Sequence, residues 1–193
     1  MLPREFFQRD PLTCARELVG CTLHWGKLRG VVVETEAYDA EGDAACHTFF
    51  RPSAREFVAA HRPGAAYVYL NYGMYWLLNV LVKGSREGFV LIRALEPIAG
   101  VEKMLALRPV KQLHELCSGP GKLTCAFGIT GKDHGRDLCS DPRHAFYAPE
   151  EERVIIEGPR IGISKAVDLP WRFYADASLH VSGLPRKKKD RLG

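Results

Sequence analysis

The chain has 193 residues, of which 46% are hydrophobic and 26% are charged. This length suits one domain, and this composition is ordinary for a globular protein. No stretch approaches the ~18 consecutive apolar residues of a membrane span, and the mixed charges of residues 1–10 are not those of a signal peptide. We therefore expect a protein of the cytoplasm, or of the nucleus in a eukaryote, and not a membrane protein.

The net charge of +4 is concentrated near the C-terminus. Residues 186–191 (RKKKDR) hold five cations and one anion, which leaves the rest of the chain neutral. Like charges in a row repel each other and bury nothing, so we predict a disordered tail over residues 186–193 after one domain over residues 1–185. The same charge attracts polyanions, which permits a nucleic-acid partner without demonstrating one.

Six cysteines are scattered along the chain, at positions 14, 21, 46, 117, 125 and 139. They form no C-x-x-C pair and no repeated spacing typical of a zinc or iron–sulfur site, so we interpret them as buried free thiols. Cys46 beside His47 is too weak a pattern to indicate a ligand pair. The sequence predicts no metal and no cofactor.

The first predicted elements are a helix and a hairpin. Asp10, followed by Pro11 and by apolar residues at helical spacing, predicts a capped helix that ends at Gly20. Residues 21–25 and 31–38 flank a turn bounded by glycines and predict a β-hairpin. Its second strand begins with three valines and is the most strand-like run in the chain.

The remaining chain predicts a mixture of strands and helices. Ser53 and Glu56 stand at capping-box spacing, which predicts a helix to residue 61. Strands are then predicted over residues 66–72, 75–82, 89–95, 153–163 and 171–175, and helices over residues 98–107 and 121–127. Because strands and helices do not alternate regularly, we predict an α+β fold with a curved, mostly antiparallel sheet flanked by helices.

Two carboxylates, Glu34 and Glu36, lie in the predicted strand 31–38. Side chains alternate along a strand, so both acids share one face with Tyr38. A solvated face with two surface acids would explain this segment taken alone. A strand that faces a cleft would instead hold acid/base groups and an aromatic ring at fixed positions.

The hairpin predicted from residues 66–72 and 75–82 has an aromatic tip at Tyr72, Gly73 and Met74. Aromatic residues within strands usually pack across the sheet, whereas loop tips are usually small and polar. A tyrosine and a methionine at a protruding tip suit a wedge that enters a stack of bases. We predict that Tyr72 and Met74 insert into DNA.

Several short segments follow each other along the chain: ETEAY (34–38), His47, YVYLNYGMY (67–75), Asn79, LIRALEP (91–97), ELCSGPGKL (115–123) and PRIGI (159–163). Together they resemble the alkyladenine, or 3-methyladenine, DNA glycosylase family over about residues 10 to 175. Each segment alone would be weak, but their collinearity leaves little room for coincidence. The resemblance implies a base-excision repair enzyme that flips a damaged purine out of duplex DNA and hydrolyses its N-glycosidic bond.

The resemblance also implies which groups handle the attacking water. Glu36 would activate the water and stabilise positive charge on the sugar, because glycosidic cleavage passes through an oxocarbenium-like state. Arg93 and the main-chain carbonyl of Ile161 would fix the same water. The implied route is monofunctional, with water as the nucleophile and no Schiff base.

Four further residues would bind the extruded base by the same resemblance. Tyr38, His47 and Tyr69 would sandwich it, since aromatic stacking accepts many lesions and favours cationic alkylated purines. Asn79 would reject guanine by crowding its exocyclic amine, and Tyr72 would fill the gap left in the duplex. The implied partner is duplex DNA with a damaged purine, and we expect a monomer because flipping one base needs no symmetry.

Ordinary structural roles remain open for several of these residues. Arg93 could be a buried ion-pair partner of Glu34 or Glu36, Asn79 a hydrogen-bonding residue of a turn or strand, and His47 a loop histidine with satisfied hydrogen bonds. We assign Glu34 a structural role, as an ion-pair partner, and leave the chemistry to Glu36.

Lys122 ends the glycine-rich run SGPGK (118–122), which lacks the full spacing of a nucleotide-binding loop. Backbone amides at a helix start, together with this lysine, could contact a DNA phosphate. A helix-capping turn explains the run nearly as well.

The segment after His47 departs from the family pattern. Many members carry Thr-x-Arg-Asn and Met-Phe patterns there, whereas this chain has TFFRPSAREFVAAHRPG. Arg55 can take the arginine position, but Glu56 replaces the asparagine. We predict that the Glu56 carboxylate borders the base pocket and favours cationic bases such as 3-methyladenine over neutral hypoxanthine.

Two other functions fit part of the sequence. A non-catalytic nucleic-acid-binding module would use the aromatic tip and the basic tail without needing Glu36. A small-molecule hydrolase or transferase would use the carboxylate cleft without needing Tyr72.

Overall fold

The computed structural model describes residues 1–183, so the tail predicted over residues 186–193 lies outside the described residues. The helices are Pro11–Leu18 (α1), His47–Phe50 (α2), Pro52–Ala60 (α3), Val101–Leu107 (α4) and Pro120–Phe127 (α5), with short 3-10 turns at Arg4–Phe7, Leu113–Glu115 and Gly131–Asp133. The strands are Thr22–Trp25 (β1), Leu28–Asp39 (β2), Ala66–Asn71 (β3), Tyr75–Lys83 (β4), Glu87–Ala99 (β5), His144–Tyr147 (β6), Ile155–Gly158 (β7) and Arg172–Ala175 (β8).

The strands form one curled sheet in the order β3-β4-β5-β2-β1-β6, with β8 paired to β2 and β7 paired to β8. Every named strand pair is antiparallel. The predicted α+β fold with an antiparallel, curved sheet is therefore confirmed. No helix within residues 1–183 combines the length and the apolar content needed to cross a membrane.

Strand β2 occupies the centre of this sheet. It pairs with β5 along one edge, while β1 and then β8 share the other edge, with β8 opposite residues 34–36. The register between β2 and β5 shifts next to Glu34, which leaves Val33 and Arg93 without a direct partner. Such bulges bend a strand and re-aim its side chains. Here they lie beside the two carboxylates that the sequence singled out.

Helix α1 packs against one face of β2. As predicted, its N-cap is Asp10, which accepts a hydrogen bond from the Thr13 N–H at 2.9 Å. The Thr35 hydroxyl donates to the Ala15 carbonyl of the helix at 2.7 Å, so Thr35 faces α1. Because side chains alternate along a strand, Glu34 and Glu36 point to the opposite side.

Two apolar cores support this arrangement. The larger one fills the α1 side of the sheet with fully buried residues such as Phe7, Leu18 and Leu95. The smaller one packs α3 against the hairpin through residues such as Phe57 and Tyr67. The smaller core fixes α3 beside the open face of β2.

The β3–β4 hairpin ends in a tight turn. Tyr72 and Gly73 have φ angles of 50° and 68°, and the Met74 N–H donates to the Asn71 carbonyl at 3.0 Å. Positive φ at both central residues of a hairpin turn suits the right-handed twist of the strands that it connects. A bulky residue in this left-handed region is uncommon, and such strain clusters at functional sites. The tip projects Tyr72 and Met74 into solvent, with 81% and 67% of their surface exposed.

Several boundaries were predicted wrongly from local patterns. Strand β5 extends to Ala99 because it pairs with β2, so the helix predicted from residue 98 begins at Val101. Helix α3 begins at Pro52 with no side-chain cap hydrogen bond, so the predicted capping box of Ser53 does not form. The strand predicted over residues 153–163 is limited to Ile155–Gly158, because only those residues pair with β8.

The prediction of six buried thiols was also wrong in part. Cys14, Cys21, Cys46 and Cys117 are buried, but Cys125 is exposed and Cys139 is half-buried. Cys125 lies in α5, whose buried face is formed by other side chains. Residues 1–183 contain no group of three or more His, Cys, Asp or Glu side chains placed to hold a metal ion.

Candidate active site

A cleft of about 840 Å³ opens on the side of the sheet away from α1. Helix α2, the β3–β4 hairpin, β5 and the loop after β7 border it. Its size lies within the range of small-molecule sites. The sequence-predicted residues that line it are Tyr38, His47, Tyr69, Tyr72, Asn79, Arg93 and Ile161.

Glu36 is fully buried directly behind this lining. Its Oε1 accepts a hydrogen bond from the Ile161 N–H at 2.7 Å and lies 3.2 Å from Arg93 Nη1. Its Oε2 accepts a hydrogen bond from the Tyr38 hydroxyl at 2.7 Å. All three partners line the cleft, so they fix the orientation of the carboxylate at its wall. The alternative of two solvated surface acids is wrong.

Glu34 is the centre of a second buried network. Its Oε1 accepts hydrogen bonds from Arg93 Nε at 3.0 Å and from Arg172 Nε at 2.6 Å. Ser182 donates to the same carboxylate from its N–H at 2.7 Å and from its hydroxyl at 2.9 Å. Arg93 therefore forms ion pairs with both acids and also lines the cleft, while its role toward the attacking water stays a prediction.

Burial and the charges of neighbouring groups shift the pKa values in opposite directions for Glu36 and Arg93, and in the same direction for Tyr38. Burial raises the pKa of Glu36, although Arg93, the Ile161 N–H and the Tyr38 hydroxyl all favour the ionised form. Burial alone would lower the pKa of Arg93, but Glu36 and Glu34 raise it, so the guanidinium stays charged. Burial and the adjacent Glu36 raise the pKa of Tyr38, which keeps its hydroxyl a donor.

His47 and Tyr69 form an aromatic corner of the cleft. Their ring centroids lie 4.3 Å apart with the planes tilted by 58°. His47 Nδ1 lies 3.1 Å from the hydroxyl oxygen of Tyr67. Burial lowers the pKa of His47 to about 4, and the charge of Arg51 acts in the same direction. The imidazole is therefore neutral at physiological pH and presents an uncharged ring to the cleft.

Known proteins resemble this chain over nearly its whole length. A family model described as methylpurine-DNA glycosylase matches residues 5–179. A relative from Granulibacter bethesdensis is 43% identical over 94% of this chain and 87% of its own length. Relatives from Agrobacterium fabrum and Methanocella arvoryzae are each 44% identical over 94% of this chain, covering 92% and 96% of their own lengths. Each of the three is named as a candidate 3-methyladenine DNA glycosylase.

The chain belongs to the methylpurine-DNA glycosylase family. The resemblance drawn from the short sequence segments is thereby confirmed. The protein is accordingly a DNA repair hydrolase that acts on the N-glycosidic bond and binds DNA as its substrate.

The other predicted residues of the glycosylase lie in different places relative to the cleft. Asn79 is buried in its wall, where its side-chain amide donates to the Tyr67 carbonyl at 3.2 Å. Tyr72 reaches the rim from the hairpin tip. Met74, on the same tip, and Lys122, at the start of α5, are outside the lining. Lys122 is exposed, and its Nζ lies 3.5 Å from Ser118 Oγ.

A buried ion pair that the sequence did not predict lies behind Tyr38. Arg160 makes a two-bond contact with Asp43, at 2.6 and 2.9 Å, and both side chains are fully buried. The guanidinium carbon lies 4.7 Å from the ring centroid of Tyr38. Arg160 precedes Ile161 in the PRIGI segment, which could have drawn attention to it. Asp43 carries no comparable signal, because its partner is 117 residues away.

The structure also reverses the prediction for the segment after His47. Glu56 lies on the exposed side of α3 and does not line the cleft, so it is not a border of the base pocket. The segment folds into α2 and α3, and the residue between these helices, Arg51, lines the cleft instead. The charge that the segment brings to the site is positive.

Proposed function

We propose that the enzyme is a monofunctional glycosylase that extrudes an alkylated or deaminated purine from duplex DNA and leaves an abasic site. The observation that carries this proposal is the buried Glu36 carboxylate, held against the cleft wall by Arg93, Ile161 and Tyr38. A carboxylate at this position can accept a proton from water and stabilise a positive sugar.

Three groups that can bind one water are close together. Arg93 Nη1 lies 3.2 Å from Glu36 Oε1 and 3.4 Å from the Ile161 carbonyl. Among residues 1–183, Glu36 Oε2 accepts a hydrogen bond from Tyr38 alone, so it keeps acceptor capacity for a water O–H. Water bound there would add to C1′ as the C1′–N bond breaks, its proton would pass to Glu36, and the bond pair would leave with the base.

The aromatic part of the cleft would hold the extruded base. Tyr38, His47 and Tyr69 offer ring faces to a purine, and the neutral His47 does not repel a cationic one. Asn79, in the same wall, would crowd the 2-amino group of guanine. Tyr72 would fill the space that the base leaves, and Met74 would pack beside it in the duplex. Since one flipped base needs no symmetry, we expect a monomer.

The test uses duplexes that carry hypoxanthine, 1,N6-ethenoadenine or 3-methyladenine. Alkali cleaves the strand wherever an abasic site has formed. We expect Glu36→Gln to lower base release about 10²- to 10⁴-fold, as loss of a general base does, while DNA affinity is retained. Glu56→Gln removes a surface carboxylate outside the cleft and serves as the matched control.

The outcomes separate the other functions. Absence of alkali-sensitive sites with all three lesions would overturn the proposal. If the wild type binds the lesion duplexes but releases no base, a non-catalytic binding module is favoured. Full activity of Tyr72→Ala on duplex lesions would show that base release does not need the ring at the hairpin tip.

A further inference from the structure

The cleft lining carries a surplus of positive charge. Its described residues include three cations, Arg51, Arg93 and Lys165, and no carboxylate. Arg93 is neutralised by Glu34 and Glu36 behind the wall. Among residues 1–183, neither Arg51 nor Lys165 has a carboxylate within ion-pair distance, so their charges act on whatever enters the cleft.

Arg51 is the cation beside the aromatic corner. Its guanidinium carbon lies 5.6 Å from the Tyr69 ring centroid and 5.7 Å from that of Phe50. Its backbone N–H donates to the His47 carbonyl at 2.7 Å, which places it at the junction of α2 and α3. Arg51 thus lies at cation–π distance from one of the rings proposed to hold the base, so its charge is close to that base.

Purine lesions respond differently to such a charge. A purine alkylated at N3 or N7 is positively charged while attached to the sugar and leaves as a neutral base. A deaminated purine such as hypoxanthine is neutral while attached, and it takes the bond pair as developing negative charge when it leaves. A nearby guanidinium repels the first before bond cleavage and stabilises the second during it.

Hydrogen bonding from Arg51 would favour the same lesions as its charge, the neutral deaminated purines. The guanidinium offers only donors, in a planar fork that fits the O6 and N7 acceptors of a purine. Hypoxanthine presents both acceptors. Guanine presents the same edge, and the proposed contact of its 2-amino group with Asn79 would exclude it.

We infer that Arg51 is a specificity-determining residue that shifts the enzyme toward neutral deaminated purines, with hypoxanthine as the type, and away from cationic alkylated purines. This inference rests on the proposed function of the cleft. It also reverses the lesion preference that Glu56 predicted, because the structure turns Glu56 outward and Arg51 inward.

The experiment compares kcat/KM for duplexes that carry hypoxanthine or 7-methylguanine. In Arg51→Gln we expect the ratio of hypoxanthine to 7-methylguanine to fall about tenfold, which corresponds to about 1.4 kcal/mol. Arg51→Lys keeps the charge without the planar fork, so its ratio should fall less. Arg55→Gln is the matched control, because Arg55 belongs to the same segment, donates to the Thr48 carbonyl and lies outside the lining.

Each outcome has a defined meaning. Equal losses on both lesions, with a weaker salt dependence, would make Arg51 a phosphate contact and overturn the inference. An unchanged ratio in Arg51→Gln would overturn it as well. If Arg51→Gln does not fold, Arg51→Met, which also lacks the charge, is measured in its place, and there an unchanged ratio overturns the inference and a reduced ratio supports it. Wild-type inactivity on every lesion would overturn the proposed function first, whereas activity with an unaltered ratio counts against this inference alone.

Discussion

The Tyr38 hydroxyl donates a hydrogen bond of 2.7 Å to Glu36, two residues earlier on the same strand. The ring of Tyr38 lines the cleft on one side and lies over the Arg160 guanidinium on another. One side chain therefore connects the surface that would stack on a base with the carboxylate that would activate water. The protonation of Glu36 should respond to changes at Tyr38.

We expect Tyr38→Phe to move the acid limb of the pH–rate profile to higher pH. The hydroxyl favours ionised Glu36, so its removal adds to the rise in pKa that burial causes, and Glu36 becomes protonated at a higher pH. A hydrogen bond to a charged group contributes about 1.5–3 kcal/mol, so a shift of about one to two pH units is expected. Profiles of kcat/KM on a hypoxanthine duplex from pH 4.5 to 8 measure it.

The control for this variant is Tyr147→Phe. The Tyr147 hydroxyl donates to the Pro142 carbonyl at the surface and does not contact the cleft. Its removal should leave the acid limb in place. An acid limb that stays in place in Tyr38→Phe would show that this hydroxyl does not tune Glu36.

Glu34→Gln should destabilise the fold strongly. Removal of one partner from a buried ion pair costs about 3–5 kcal/mol, and Glu34 holds both Arg93 and Arg172. Glu157→Gln breaks an exposed pair with Arg16 and should cost less than about 1 kcal/mol. Urea unfolding of both variants gives the two free energies. Similar small losses would mean that the buried network contributes little net stability.

Stability should fall as the pH is lowered from about 6.5 to 4. The folded-state pKa values of His47 and His24 are lowered to about 4, chiefly by burial, from an ordinary value of 6.5. Between these pH values the unfolded chain binds protons that the folded protein does not, so lowering the pH favours unfolding. Above pH 6.5 these histidines are neutral in both states and do not change the stability. His47→Gln and His24→Gln should each show a shallower decline of the urea midpoint.

The two histidine variants differ in function. His24 stacks on Tyr147 away from the cleft, so His24→Gln should retain base release, whereas His47→Gln should lose part of it. If both variants keep the wild-type pH dependence of stability, the lowered pKa values do not govern the acid sensitivity.

Tyr72→Ala should reduce base release from duplex DNA at little cost in stability. The Tyr72 side chain is 81% exposed, so its removal loses few contacts. Its backbone has a φ of 50°, a conformation that a large side chain does not favour. If the ring fills the gap left by a flipped base, the loss should be about tenfold or more on duplex and small on single-stranded substrate. Leu179→Ala removes an apolar residue that is 77% exposed and lies outside the cleft lining, and it should affect neither substrate. Equal losses on the two substrates would argue against insertion.

Sequence patterns predicted the elements whose causes are local. The Asp10 cap, the β3–β4 hairpin and the placement of Glu36 with Tyr38 follow from spacing along a few residues. The predictions failed where pairing with a distant strand overrode local preference, as at Ala99, where β5 continues beyond its expected end. Glu56 was misplaced for a related reason, since which side of α3 faces the cleft is decided by packing against the hairpin.

The sequence by itself determined the family, the α+β fold and the residues that could do the chemistry, because short segments and the two-residue period of a strand are readable without coordinates. Only the tertiary structure decided that both glutamates are buried, that Arg93 bridges them, and that Arg160 with Asp43 supports Tyr38. Those contacts join residues tens to more than a hundred positions apart. Local residue spacing carries no information on contacts between such distant positions. The curled sheet brings these residues together beside the cleft.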